Sequence, residues 1–410
     1  MTAALIDPFL PPEASGSAGS ATSSGSSGTP LTACNVLDDT RTWLARFVRT
    51  MHDRDLDLLT LWATHTHLMG AFYTTPRLLL DSPMPGSGKT TVLEHLERLT
   101  YAPVQMASVA SPALLTRMLG AGMRTLLIDE ADRSLSPDKE GVGELLAVLN
   151  SGYKKGATRP TLVPDGNGGW TPQELPTYAP VCMAGNSPRL PDDTRSRTLR
   201  VLLLPDLENS VEESDWELIE DEARALGKRL ADWADSVSEQ VRTDRPPLPD
   251  GVTNRARERW NPLKRVAVAA GGRWPDAADD LAREDLARMD QDKEDGMTRQ
   301  PPAVMLLKDL REVWPTGTAF VTTKALLEAL MATAPDAWGP GSTFGKALTA
   351  QRLGRMLATA YGLHSDRPDS NGQRGYLLAT LNPVFRRMGL TPLPSKPDEV
   401  AGPAEPDGAA

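Results

Sequence analysis

The chemistry in this chain is concentrated first in Pro83-Met84-Pro85-Gly86-Ser87-Gly88-Lys89-Thr90. Its second half follows the phosphate-loop spacing G-x-x-x-x-G-K-[ST], with Pro83 where the first glycine is usual. Gly86 and Gly88 let backbone N–H groups approach phosphate oxygens with no Cβ in the way. Lys89 offers a charge to the β and γ phosphates, and Thr90 offers a hydroxyl to Mg2+. The helix expected to start there favours anions at its N-terminus. Pro85, Gly86, Ser87, Gly88, Lys89, Thr90 and Thr91 are therefore the expected nucleotide contacts. About forty residues on, Thr125-Leu126-Leu127-Ile128-Asp129-Glu130 is an apolar run ending in two acids. Asp129 is expected to hold Mg2+ with Thr90, and Glu130 to polarise an attacking water.

Such groups need strands and helices to aim them. Arg77–Asp81, Thr125–Asp129, Pro180–Gly185 and Leu199–Leu204 are short apolar runs separated by helical patterns. They predict a buried parallel sheet in an α/β domain. From Pro205 to Asp250 there are fourteen Asp/Glu against five Lys/Arg. With Trp216, Ile219, Ala223 and Leu226 at helical spacing, this reads as a helix with a solvated acidic face. A further helix is expected from Asn254 to Ala270, before Gly271-Gly272. Helical patterns then cover Ala303–Val313, Thr323–Thr333 and Thr349–Tyr361, followed by a polar turn near Pro368–Gly372 and Gly375–Ala379. Three helices and a hairpin match a winged helix-turn-helix outline. Residues 342–388 hold seven Lys/Arg and two Asp/Glu. Lys346, Arg352 and Arg355 flank the expected recognition helix, and Arg367 and Arg374 the wing, as candidate DNA contacts.

Composition narrows the class. With 410 residues and ordinary apolar and charged fractions, the chain is a globular protein of two or three domains. A net charge of −10 excludes a chain that is basic throughout. Two cysteines build no disulfide framework, and no long apolar run or export signal is visible, so a cytoplasmic protein without a membrane span is expected. The expected parts are a Ser/Gly-rich tail (1–34), an ATPase core (35–205), a helical lid and linker (206–300), a winged-helix domain (301–390) and a second tail (391–410). His65 and His67 face apart on a helix and make poor joint metal ligands. Trp62, Phe72 and Tyr73 read as core or as a stacking surface for adenine.

The chain resembles the AAA+ P-loop ATPases. More narrowly, it resembles the uncharacterised ATPase domain of phage and plasmid primase–helicase proteins of high-GC bacteria, which are similar to superfamily 3 helicases. The residues carrying this are Ser82–Thr90, Leu127–Asp132, Asn150–Ala157, Ala184–Ser187, Leu190–Arg197 and Asn254–Leu263. The resemblance implies an ATP- and Mg2+-dependent hydrolase. Asn186 would stand at sensor 1, against the attacking water and γ-phosphate. Arg197 would be the arginine finger reaching a neighbouring subunit, with Arg195 its rival. Arg255 would be sensor 2, with Arg257 and Arg259 beside it. A basic hairpin before sensor 1 would carry Lys154, Lys155 and Arg159 to DNA in the pore of a homo-oligomeric ring, a hexamer by analogy. Any primase would be a separate chain. The function expected is a DNA-dependent ATPase acting as a ring helicase or replication-initiation motor of a phage or mobile element. The alternatives are an ATPase that loads or remodels a partner protein, and a nucleotide-gated DNA binder.

Overall fold

The apolar runs become strands because both of their faces are covered. In the computed structural model, residues 33–107, 111–164, 168–294, 301–367 and 372–394 are described. Of the expected tails (1–34 and 391–410), residues 1–32 and 395–410 lie outside them, while 33–34 begin a helix; of the expected turn at 368–372, residues 368–371 lie outside. The described chain forms two units that divide between Asp290 and Gln291.

The first unit opens with helices α1 (Ala33–Phe47) and α2 (Asp55–Thr66) and a short 3-10 turn at Met69–Ala71. There follow β1 (Arg77–Ser82), α3 (Lys89–Leu99), β2 (Pro103–Met106), α4 (Pro112–Gly120), β3 (Thr125–Ile128), α5 (Ala131–Ser134) and α6 (Val142–Ser151). The hairpin β4 (Thr158–Pro164) and β5 (Trp170–Pro176) comes next, then β6 (Val181–Asn186), α7 (Asp192–Arg195) and β7 (Thr198–Leu202). Helices α8 (Trp216–Thr243), α9 (Asn254–Ala270) and α10 (Trp274–Glu294) complete the series.

Five strands pair in the order β2-β3-β6-β1-β7, and every pairing is parallel. All six residues of β1 and all four of β3 are buried, which is why they read as continuous apolar runs rather than as alternation. The chain leaves β1 for one edge of the sheet and later returns to its other side as β7, so the order reverses beside β1. Ligands of open α/β sheets bind outside the carboxyl ends of the strands at such a reversal.

One face of the sheet is covered by α4 and α6, whose Leu115, Leu145 and Leu149 pack with Leu126, Ile128 and Met183. The other carries α1, α2, α3, α8 and α9 in a single apolar core, which also takes in Trp274 and Leu281 of α10. The acidic helices expected as a separate lid thus share the core of the sheet. Their charge stays outside: Leu226, Leu230 and Trp233 of α8 are buried while Glu217 and Asp221 face solvent. Gly227 lets α8 lie directly on α3, because a Cβ there would stand 2.1 Å from the Arg98 carbonyl oxygen.

The second unit contains α11 (Pro302–Val313), β8 (Phe320–Thr322), α12 (Thr323–Thr333), α13 (Pro335–Trp338), α14 (Ala350–Tyr361), β9 (Gly375–Leu377) and α15 (Leu378–Arg387). Strands β8 and β9 pair antiparallel, and Asp366 bridges to Gly375 beside them. Leu306, Leu310, Leu330, Trp338, Leu353, Leu357 and Phe385 form its core. Thr322 and Thr349 cap α12 and α14 by accepting from Ala325 and Arg352 N–H.

Candidate functional site

The segment between β1 and α3 leaves the sheet at its carboxyl end. Ser82 starts the turn: its hydroxyl donates to the Met84 carbonyl at 2.8 Å and accepts from the Met84 N–H at 3.2 Å. Gly86 and Gly88 sit at φ +76° and +80°, a left-handed region that costs glycine little. Pro83 therefore occupies a position where no such φ is required, and the departure from the usual pattern leaves the cradle intact. Gly88 caps α3, so its first turn faces the loop.

Lys89 is buried, and its ammonium donates to the Ser87 hydroxyl at 2.9 Å and to the Met84 carbonyl at 3.2 Å. Burial lowers its pKa, against the raising pull of Asp129, Asp132 and Asp81. A cation so placed favours an anion in the loop, which would satisfy it better than two neutral acceptors.

Strand β3 brings the acids to the same end. The Thr90 hydroxyl donates to Asp129 Oδ2 at 3.1 Å, joining groups 39 positions apart. One hydroxyl and one carboxylate beside a phosphate cradle fit Mg2+, which binds through few protein oxygens and keeps waters and phosphate oxygens as its other ligands. Glu130 stands at φ +48°, an unusual conformation for a residue with a side chain. Its N–H donates to Asp129 Oδ1 at 2.8 Å. Its carboxylate is exposed and pairs with Arg133 at 3.2 Å, an ion pair weak enough to open.

Asn186 ends β6 in register with Ser82, so its exposed amide lies beside the loop. Two acids hold this strand end. Asp132 Oδ1 accepts from the Asn186 N–H at 3.0 Å. Buried Asp81 accepts from the Ser187 N–H at 3.0 Å and pairs with Arg200 at 2.7 Å. Sequence reading did not single out Asp81 or Arg200, because their partners are strand neighbours rather than chain neighbours. Asp132 was visible as the last acid after β3.

A cleft of about 360 Å3 continues from Gly86–Gly88 and Thr91. The end of α1 (Phe47, Val48, Arg49) forms one side, and Leu204, Asp206 and Val211–Ser214 the other. None of Trp62, Phe72 and Tyr73 lines this cleft, which favours the core reading of Trp62 and Phe72 over the adenine-stacking one. Trp62 and Phe72 are buried core, and Tyr73 is exposed just before the opposite end of β1. The segment sequence reading passed over is Arg46-Phe47-Val48-Arg49 at the end of α1, which carries no phosphate-loop or acidic pattern of its own. His95 ties the cleft walls together. Trp43 Nε1–H donates to its Nδ1 at 3.0 Å, which leaves Nε2–H to donate to Ser214 at 3.0 Å. Burial holds its pKa down at about 4, so the imidazole is neutral at pH 7. His65 is likewise buried, between the Trp62 carbonyl and Thr75, with its pKa pushed down to about 3.

The arginines lie elsewhere. Arg197 precedes β7, and its carbonyl accepts from the N–H of Arg77, the first residue of β1. That is the amino end of the sheet, about 17 Å or more from the phosphate loop at roughly 3.3 Å per strand residue. Arg197 is largely buried, donates to Asp193 and lies over the Tyr153 ring. Arg195 is exposed and donates to the Leu190 carbonyl at 3.3 Å. Arg255 is at the same far end: it pairs with Glu258 at 2.7 Å and lies over Tyr153, while Thr74 donates to the Glu258 carbonyl at 2.8 Å. The expectation that Arg255 touches its own chain's nucleotide is thereby corrected. Helix α9 enters below β1, not above it.

The basic hairpin is present, with its tip at 165–167 outside the described residues. Its cations are engaged: Lys154 with Glu258 at 3.0 Å, Lys155 with the Gly70 carbonyl at 3.0 Å, and Arg159 with Glu144 at 2.8 Å. Leu162 and Trp170 are its exposed apolar groups. In the second unit the contrast is sharp. Lys346, Arg355, Arg367 and Arg374 are exposed, and among the described residues none pairs with a carboxylate. Arg352 donates to the Lys346 carbonyl. Among the described residues no helix is long and apolar enough to cross a membrane.

Residues 205–388 match a family model described as "Protein of unknown function" (DUF3631). The chain is similar to the Saccharopolyspora erythraea "Uncharacterized 28.9 kDa protein in xis 5'region", 30% identical over 190 residues, 45% of this chain and 67% of that protein. Among solved structures, it is similar to the apo NrS-1 C-terminal region, with a TM-score of 0.35 and 12% identity over 85% of this chain and 76% of that one. It is also similar to a full-length MCM homolog from Methanopyrus kandleri, with a TM-score of 0.37 and 16% identity over 63% of this chain and 61% of that one.

Proposed function

We propose that this chain, which belongs to the same family as the Saccharopolyspora erythraea protein, is a Mg2+-dependent ATPase that works on DNA as a ring motor of a phage or mobile element. The observation that carries the ATPase reading is the meeting of Thr90 and Asp129 at 3.1 Å beside a loop with Lys89 inside it. Gly86–Thr91 would hold the phosphates, and Lys89 would exchange the Met84 carbonyl for a phosphate oxygen. Thr90 and Asp129 would hold Mg2+, which supplies charge neutralisation across the β and γ phosphates. Glu130, freed from Arg133, would orient and deprotonate the attacking water, and the Asn186 amide would hold that water from the other side. Phe47–Arg49 and Leu204–Ser214 would enclose the base.

Arg197 lies too far from its own phosphate loop to serve it, so its use as a finger requires a second copy of the chain. Head-to-tail assembly of that kind gives a ring where the rotation between successive copies closes.

The DNA reading rests on the second unit. Its order of α11, β8, α12, α14 and β9 supports a winged helix with α14 as the recognition helix. Exposed Lys346, Arg355, Arg367 and Arg374, with Arg352, would meet phosphates. ATP hydrolysis measured with and without single- and double-stranded DNA at low salt tests the motor. DNA should stimulate turnover, and Glu130→Gln should lower it by about 10²–10⁴-fold while nucleotide still binds. Turnover indifferent to both kinds of DNA would overturn the motor reading.

One observation favours the second reading, an ATPase that remodels a partner protein. The hairpin's basic groups are taken up internally, and its exposed groups are the apolar Leu162 and Trp170 beside Gln173 and the acidic Glu174, which suits a protein surface better than a phosphate chain.

A further inference from the structure

Tyr153 is the fixed point of the far end of the sheet. Its ring is fully buried, and three guanidinium groups surround it. Arg197 lies 5.6 Å from the ring centroid, and Arg77 and Arg255 each lie 5.9 Å from it. These distances are within the range where a ring face attracts a cation. The arrangement is costly on its own account, because like charges converge in a partly desolvated place. Beside the ring, Arg77 donates to the carbonyls of Leu149 and Ala179, and among the described residues it pairs with no carboxylate. Glu258 is shared by Arg255 and Lys154, and Asp193 serves Arg197. Cations thus outnumber carboxylates around the ring.

Donors and acceptors are also left over. Arg197 Nε, Arg77 Nε and the Tyr153 hydroxyl are buried with no hydrogen-bond partner among the described residues. Arg197 opens onto a cavity of about 550 Å3 whose walls include Pro137, Asn150, Pro191 and Asp193, and the Asn150 side-chain oxygen is buried there without a partner among the described residues. Excess positive charge around the ring, with Arg197 and its unused donor lining the cavity, favours an anion there. The chain's own phosphate loop is at the other end of β1, so the anion must come from outside the chain.

We propose that Tyr153 is a positioning residue whose ring holds Arg197 and Arg255 as a pair for the phosphates of a nucleotide bound to a second copy of this chain. This rests on the ATPase reading above and adds to it a platform and a second guanidinium. Two planar forks held at a fixed spacing match a triphosphate oxygen set better than one flexible arginine. The ring acts without touching the nucleotide, so its loss should lower kcat and leave KM for ATP nearly unchanged.

The test is complementation between full-length variants. Tyr153→Leu should lose at least tenfold in kcat, and Tyr153→Phe should regain it. The loss should not add to that of Arg197→Ala. Lys89→Ala cannot hold nucleotide but keeps an intact Tyr153 and Arg197. Mixed in equal amounts, Lys89→Ala and Tyr153→Leu should recover activity from about one interface in four, since head-to-tail contacts pair one chain's loop with the other's arginines. Should Tyr153→Leu fail to fold by circular dichroism, fluorinated phenylalanines at position 153 replace it. Progressive loss of ring charge should then lower kcat by up to about tenfold with KM unmoved.

No recovery on mixing, or turnover indifferent to fluorination, overturns the proposal. So does a Tyr153→Leu chain that loses DNA affinity instead of kcat, which would make nucleic-acid phosphate the occupant. Failure of the underlying reading looks different: the unaltered chain would then hydrolyse no ATP at all.

Discussion

Replacing Gly227 with alanine sets two effects against each other. In an exposed helix interior, Gly→Ala stabilises by about 1 kcal/mol because alanine restricts the unfolded backbone and glycine does not. At Gly227 the new Cβ would stand 2.1 Å from the Arg98 carbonyl oxygen and 3.2 Å from its carbon. Ordinary contacts begin near 3.4 Å, so α8 must withdraw from α3 by more than an ångström. The obstacle is backbone, which cannot rotate away. A gap of 0.5–1 Å already forfeits a quarter to a half of the dispersion energy of the contacts around it, and Ala223, Leu226 and Leu230 all pack nearby. Overpacking of this kind costs about 1–3 kcal/mol or more, which exceeds the helix-propensity gain. The net expectation is destabilisation by about 2 kcal/mol, or a fall in Tm of about 4–8 °C for a unit of this size. Circular dichroism melts of the two full-length chains measure it. An unchanged or higher Tm for Gly227→Ala would refute the direct seating of α8 on the phosphate-loop helix.

Three other outcomes follow from particular groups. Burial raises the Asp55 pKa from 3.8 to about 6. The folded chain therefore holds a proton that the unfolded chain releases, and stability falls as pH rises from about 4 to about 6, by about 3 kcal/mol in all. Asp55→Asn should raise the urea midpoint at pH 7.5 and leave it nearly unchanged at pH 3.5; equal shifts at both would contradict the assignment. Asp129→Ala should abolish the effect of Mg2+ on the binding of a fluorescent ATP analogue while weak metal-free binding persists, and titration with and without chelator reads this directly. Arg355→Ala with Arg374→Ala should reduce the slope of log affinity against log salt for duplex DNA by about 2, at roughly 0.9 for each phosphate no longer neutralised. An unchanged slope would move the DNA-binding surface away from the second unit.

The strands were legible from residue order because burial on both faces writes itself as unbroken apolar runs: Leu78–Leu80, Leu126–Ile128 and Val181–Ala184 are all strand residues. The phosphate loop and the acids after β3 were legible because their chemistry is local. Helix α9 was read with its observed limits, Asn254 to Ala270, even with Pro262 inside it. The position of Arg255 was not legible, since residue order does not say at which end of a sheet a helix begins. A single bond from Thr74 to the Glu258 carbonyl decides that. The base side of the cleft was missed for a related reason: Phe47–Arg49 and Leu204–Ser214 are far apart in the chain and meet only because α1 and the segment after β7 flank the same loop. Exposed and engaged cations were also indistinguishable beforehand. Lys154 and Arg355 are both basic residues in basic surroundings, and only the position of Glu258 separates them.

The place of β1 in the sheet bears on how the chain comes off the ribosome. Leu78 pairs with Cys182 on one side and with Leu199 on the other, and among the described residues β1 has no other partner strand. Both partners are synthesised more than a hundred residues after it. Until then a strand of three consecutive leucines has nothing to pair with, and the loop entropy of the eventual pairing is large. The nascent chain therefore carries a sticky, unpaired centrepiece for several seconds at ordinary elongation rates of about 5–20 residues per second. Chaperone dependence during synthesis, and a yield that falls when expression is fast, are the expected consequences of the same strand order that seats the phosphate-loop strand between β6 and the edge strand β7.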